Sequence, residues 1–104
     1  MKNQKYWIKK LKTVLLNYKI PVIRLEAGPY QPAGISDLMI RYDLSNIFIE
    51  VKASGKLTEL QERFLKTFGG CCWYPNRKKN KFTWYNVNRN IAEEIEKILL
   101  EINK

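Results

Sequence analysis

The stretch from Asp37 to Lys52 leaves this chain few choices of fold. Two apolar runs, residues 38–42 and 47–52, flank Asp43-Leu44-Ser45-Asn46, which has turn-forming residues at both ends. The pair reads as a β-hairpin with a loop of about four residues. Met39, Ile40, Ile47, Phe48, Ile49 and Val51 make the runs almost continuously apolar, as expected of central strands buried on both faces. Asp37 opens the first run, and Glu50-Val51-Lys52 closes the second. Successive side chains of a strand alternate between faces, so Glu50 and Lys52 share one face and Val51 takes the other. A hairpin brings Asp37 close to Glu50 and Lys52, which gathers two carboxylates and a lysine at one end of the sheet. Charges there are costly unless they pair or bind something. The cluster is either a seat for a divalent cation and an activated water, with the Val51 carbonyl as a further oxygen ligand, or an ion pair of Glu50 with Lys52.

The flanking sequence supplies the other layers. Trp7, Leu11, Val14, Leu15 and Tyr18 recur at helical spacing within residues 3–18, with Lys2, Lys5, Lys9 and Lys12 on the opposite face and Pro21 as the stop. Residues 22–25 read as a short strand. Residues 26–36 are rich in Gly and Pro and read as a loop bordering the acidic cluster. Thr58 begins a second helix, running to about Phe68 with Leu60, Phe64, Leu65 and Phe68 inward, and Gly69-Gly70 stops it. Residues 71–74 and 82–87 read as strands around a basic loop, and Asn90 caps a last helix with an Ile91, Ile95, Ile98, Leu99 and Ile102 stripe. The expected fold is α/β, one domain over residues 1–104, with a central mixed β-sheet flanked by helices in the order α-β-β-β-α-β-β-α.

Charge narrows the partner. The chain carries 19 Lys and Arg against 10 Asp and Glu, a net +9. Residues 1–25 contain seven of the basic residues and no acid, and a second group is Arg77, Lys78, Lys79 and Lys81. A polyanion such as DNA or RNA is the expected partner. No apolar run is long enough to span a bilayer, so no membrane is expected, and a cytosolic (cytoplasmic) location is. Cys71 and Cys72 are adjacent and read as reduced strand residues. The absence of histidine excludes His-based metal sites, Ser-His-Asp triads and histidine general bases.

Asp, Glu and Lys without His suit metal-assisted phosphodiester hydrolysis, in which hard carboxylate oxygens hold Mg²⁺ and a lysine offsets developing charge. Gln61 has two readings. It can reach this site, or it can close a capping box with Thr58 in Thr58-Glu59-Leu60-Gln61.

Gly34-Ile35-Ser36-Asp37-Leu38, then Phe48-Ile49-Glu50-Val51-Lys52, then Gly55-Lys56-Leu57-Thr58-Glu59-Leu60-Gln61 resembles the VRR-NUC branch of the PD-(D/E)XK nuclease superfamily. The resemblance runs from the first helix to about Tyr74. It implies a restriction-endonuclease-like core and Mg²⁺- or Mn²⁺-dependent cleavage of DNA. By motif position it implies Asp37 and Glu50 as metal ligands, Lys52 as catalytic lysine and Gln61 as a supporting catalytic-site residue. Small stand-alone members of this family resemble Holliday-junction resolvases and act as homodimers on branched DNA, so both properties are implied here. A non-catalytic nucleic-acid-binding module on the same fold and a nicking or homing-type endonuclease are the alternatives. Two positions depart from the family pattern. Ser36 stands where proline is common, and Gln4 stands where the first helix usually offers a glutamate. Gln4, or Glu26 from its loop, is the candidate to reach the metal through water. Candidate DNA contacts are Lys5, Lys9, Lys12, Tyr30, Lys56, Arg77, Lys78, Lys79 and Lys81.

Overall fold

A computed structural model describes residues 2–25, 35–76 and 80–103 of the chain. Glu26, Tyr30, Arg77, Lys78 and Lys79 therefore lie outside the described residues. The elements are α1 (Gln4–Asn17), β1 (Val22–Arg24), β2 (Leu38–Tyr42), β3 (Ser45–Val51), α2 (Glu59–Phe68), β4 (Gly70–Tyr74), β5 (Lys81–Tyr85) and α3 (Arg89–Leu99), followed by a 3₁₀ turn at Leu100–Asn103. The five strands form one sheet in sequential order. β1, β2 and β3 pair antiparallel, β3 and β4 pair parallel, and β4 and β5 pair antiparallel. This is the mixed sheet and the element order expected of a restriction-endonuclease-like core.

The register shows why the sheet buries one face so completely. Leu38 pairs with Ile49, Ile40 with Ile47, Ile49 with Cys71 and Val51 with Trp73. These side chains share a face and meet Ile8, Leu11 and Leu15 of α1 and Ile95 and Leu99 of α3 in one core. The inward stripe of α1 is thus centred on Ile8, with Trp7 and Val14 at its flank and Tyr18 exposed. The opposite face is only partly covered. α2 is ten residues long and lies against β3 and β4. It buries Leu65 fully and brings Phe64 and Phe68 against Phe48, while Leu60 and Phe68 stay largely exposed. β2 alternates between buried and more exposed residues. The expectation of burial on both faces therefore fails for β2 and holds for the end of β3, where Ile49, Glu50 and Val51 are all buried.

Cys71 and Cys72 are buried in β4, on opposite faces of the strand. Burial pushes the Cys71 thiol well above its usual range, as befits an inert core residue.

Three boundaries differ from expectation. The β2–β3 loop is two residues long rather than four, because Tyr42 already pairs with Ser45. Asp43 and Leu44 both have positive φ, 49° and 65°, the signature of a type I′ turn that suits the twist of a hairpin. β5 ends at Tyr85, and α3 is capped by Asn88, whose Oδ1 accepts from the Asn90 and Ile91 amides. α1 stops before Pro21 through a Schellman arrangement. The Ile20 amide donates to the Leu15 carbonyl and the Lys19 amide to the Leu16 carbonyl, each at 2.9 Å, with Lys19 at φ 59°.

Candidate active site at the end of β3

The hairpin register determines the site. With Leu38 opposite Ile49, the next residues outward are Asp37 and Glu50, and their groups interlock. The Asp37 amide donates to Glu50 Oε2 at 3.1 Å, and the Val51 amide donates to Asp37 Oδ2 at 2.8 Å. Asp37 is further anchored through its carbonyl, which accepts from Leu25 N–H at 2.8 Å.

Gln4 reaches the same point from the start of α1. Asn3 caps the helix by accepting from the Tyr6 amide at 3.0 Å, which makes Gln4 the first helical residue. Its Nε2 donates to Asp37 Oδ1 at 2.9 Å, to Asp37 Oδ2 at 3.0 Å and to the Val51 carbonyl at 3.2 Å. Gln4 thus contacts Asp37 and the Val51 carbonyl directly.

Gln61 both closes the capping box and reaches Glu50, because an amide has two ends. Its Oε1 accepts from the Thr58 amide at 3.0 Å and its own backbone amide donates to Thr58 Oγ1 at 3.2 Å, completing the capping box. Its Nε2 donates to Glu50 Oε1 at 2.7 Å. The helix cap and the carboxylate therefore orient one another.

Glu50 is 3% exposed, and its carboxyl pKa is pushed up to about 8. Burial is the largest cause, and the neighbouring Asp37 carboxylate adds to it, while Lys52 partly offsets the shift. No ion pair joins Lys52 to either acid, since the ion pairs among the described residues are the helical pairs Glu59–Arg63, Glu62–Lys66 and Arg89–Glu93. The half-buried Lys52 instead lines an open cleft of about 330 Å³ with Lys2, Asn3, Gln4, Ser54 and Asn76.

Asn76 is the residue that the sequence pattern did not single out. Its Nδ2 donates to the Lys2 carbonyl at 2.8 Å and to the Ala53 carbonyl at 2.9 Å, and its Oδ1 accepts from Trp7 Nε1 at 3.0 Å. One side chain thereby ties the residues before α1 to those after β3, and so holds Gln4 beside Val51. A polar residue directly after Tyr74-Pro75 was the only available signal.

The oxygens here suit a hard cation. Two carboxylates and a peptide carbonyl are the ligand types that Mg²⁺ and Mn²⁺ accept, and the Asp37 and Val51 oxygens already converge on one donor. Among the described residues no group of three or more His, Cys, Asp or Glu that could hold a metal ion gathers anywhere, and at this site they contribute two acids with the Gln4 amide against one of them.

The basic residues fall on both faces of the sheet. Lys5, Lys9 and Lys12 line a groove on the α1 side with Arg24, whereas Lys56 and Lys81 border a cleft on the α2 side with Glu62 and Tyr85. The tryptophans serve the core. Trp73 is fully buried with its indole donating to Asn80 Oδ1 at 3.2 Å, and Trp84 packs against the core with its indole donating to Glu96.

No family model and no curated protein matches the chain. Among solved structures the chain is similar to Hjc, a Holliday junction resolvase from the archaeal hyperthermophile Archaeoglobus fulgidus. The two are 16% identical, the match covers 90% of this chain and 98% of that one, and the TM-score is 0.49. A likeness of this size supports no functional conclusion, so the functional reading rests on the site itself.

Proposed function

We propose that the chain is a Mg²⁺- or Mn²⁺-dependent DNA endonuclease that cuts branched DNA such as four-way junctions. One observation carries this reading: Asp37 and Glu50 interlock at the end of β3, the Val51 carbonyl converges with Asp37 on one donor, and Lys52 lines the adjoining cleft. Asp37, Glu50 and Val51 would hold the ion. When bound, it supplies charge neutralisation at the scissile phosphate and a more acidic attacking water.

The chain's own residues do the rest. Lys52 brings a positive charge, not taken up by an ion pair, to the cleft where the phosphate would lie, where it offsets charge developing on the phosphoryl oxygens. Gln61 restrains the Glu50 carboxylate through its 2.7 Å hydrogen bond. Lys5, Lys9, Lys12, Lys56 and Lys81 supply phosphate contacts that position DNA without reading its sequence. The motif resemblance to VRR-NUC nucleases supports the same roles for Asp37, Glu50, Lys52 and Gln61, and it extends the proposal to a homodimer with one site for each of two strands.

A non-catalytic DNA-binding module is the second reading. It is favoured by Gln4, an amide in direct contact with both Asp37 oxygens. Labelled junction, flap, duplex and single-stranded DNA, each incubated with Mg²⁺, Mn²⁺ or chelator, separates the two. We expect junction cleavage that chelator abolishes, and Asp37→Ala and Lys52→Ala should each slow it by about 10²- to 10³-fold. Tight binding with no cleavage under any metal would leave the binding module. Mutants that cut like wild type would overturn the site assignment.

A further inference from the structure

Two carboxylate oxygens and a peptide carbonyl that converge usually do so on a positive charge. Here they converge on Gln4 Nε2, at 2.9, 3.0 and 3.2 Å. An amide nitrogen has only two hydrogens, so three acceptors around it means that one hydrogen is shared. The lone pairs engaged by Gln4 are those of Asp37 and Val51 that a cation would need. An N–H facing a divalent ion is repelled by it. The same side chain has an acceptor at its other end, one torsion away.

We propose that Gln4 gates the cation site: in the metal-free protein its Nε2 stands in the ion's place, and a divalent ion enters as the amide turns over to present Oε1. This rests on the metal-dependent reading above. The gate has two physical consequences. Without metal, Asp37 and Val51 keep hydrogen-bond partners, so the site holds its shape. With metal, the ion must displace three contacts and gains a neutral oxygen in return. Ligand charge is a main determinant of affinity for such ions, so binding is weaker than a carboxylate at position 4 would allow.

The test follows the Gln4 side-chain NH₂ pair by ¹⁵N–¹H correlation spectroscopy in the full chain during a Mg²⁺ titration, with the backbone amide of Val51 as reporter on Asp37. Calorimetry of Mn²⁺ binding to wild type and Glu-substituted protein (Gln4→Glu) runs alongside. The gate predicts that the NH₂ pair is slow to exchange with solvent before metal and becomes fast as the Val51 amide shifts. It also predicts at least tenfold tighter Mn²⁺ binding by Gln4→Glu. The wild-type titration carries the test even if clustering three acids impairs folding of the variant. If the Val51 amide responds to Mg²⁺ while the Gln4 pair stays protected, the gate is wrong and the metal reading survives. If neither protein binds either ion, the metal reading fails and the gate fails with it.

Discussion

The two ends of the sheet are stabilised in opposite ways. At the end where β2 begins and β3 finishes, no non-glycine residue among those described has a positive φ, and the difficulty is electrostatic. Two carboxylates lie together, one of them almost fully buried, and four amide groups aim hydrogen bonds at them, from Gln4, Gln61 and the backbones of Asp37 and Val51. At the far end there are no buried acids among the described residues, and the difficulty is conformational. All four non-glycine residues with positive φ among the described residues sit there: Lys19 after α1, Asp43 and Leu44 in the hairpin, and Asn86 after β5. Near the site, the one positive φ among the described residues falls on a glycine, Gly55 at 78°. Asp and Asn tolerate that conformation, whereas Lys and Leu adopt it at a cost of about 1–2 kcal/mol. Stability has been given up at both ends. Only at the first does the loss leave behind groups that can bind and react.

The largest effect should come from the electrostatic end. The folded protein holds the Glu50 proton up to about pH 8, while the unfolded chain releases it near the ordinary value of 4.5. Between those values the folded state carries the extra proton. The contribution is fully present below about pH 4.5 and is lost as the pH rises through about 8. In chelator, urea unfolding should therefore report a stability lower at pH 8 than at pH 5, by on the order of a few kcal/mol. Glu50→Gln should flatten that slope. A wild-type stability that is flat or rising over this interval would erase the electrostatic half of the comparison.

A smaller effect tests how the site is held. Replacing Asn76 by Ala strands the Trp7 indole N–H and removes a donor from the Lys2 and Ala53 carbonyls. The expected loss is about 2 kcal/mol, or roughly 10 °C in Tm for a chain of this size. Because Asn76 joins the start of α1 to the end of β3, the variant should also free Gln4, and the Gln4 NH₂ pair should exchange faster at temperatures where the protein remains folded. Destabilisation with no change at Gln4 would make Asn76 a clamp for Trp7 alone.

These features were unequally legible in the sequence. That Asp37 lies near Glu50 followed from the hairpin, but its partner across the strands did not: a four-residue loop would set Asp37 opposite Lys52, and a two-residue slip leaves every side chain on its own face. The helix of Gln61 was legible from Thr58 and the spacing to Gln61, and what alternation could not tell was that the two ends of one amide serve the cap and the acid together. Asn76 was illegible because its partners lie at positions 2, 7 and 53, and nothing periodic connects them. The direct contact of Gln4 with Asp37 depends on where α1 starts relative to the sheet, which periodicity leaves undetermined. The two-residue turn was missed for a different reason. Turn chemistry points to Gly or Asn at such positions, and the chain has Leu44.

Leu44 gives the smallest expected effect and the sharpest contrast with the site. It is 86% exposed and sits at φ 65°, so burial does nothing to offset its conformation. Leu44→Asn keeps the turn, suits the left-handed region, and adds less unfolded-state entropy than glycine would. It should raise stability by about 1 kcal/mol, seen as a higher urea midpoint with an unchanged slope. Lys19→Gly should act similarly through the Schellman turn. Neither residue touches Asp37, Glu50 or Gln4, so Mn²⁺ affinity and junction cleavage should stay at wild-type levels. A gain in stability with unchanged function means that the far end carries strain without using it. If Leu44→Asn instead leaves stability unchanged but lowers the mass of the particle in sedimentation, the strained leucine is kept for contact with a second copy, and both ends of the sheet hold their strain for function.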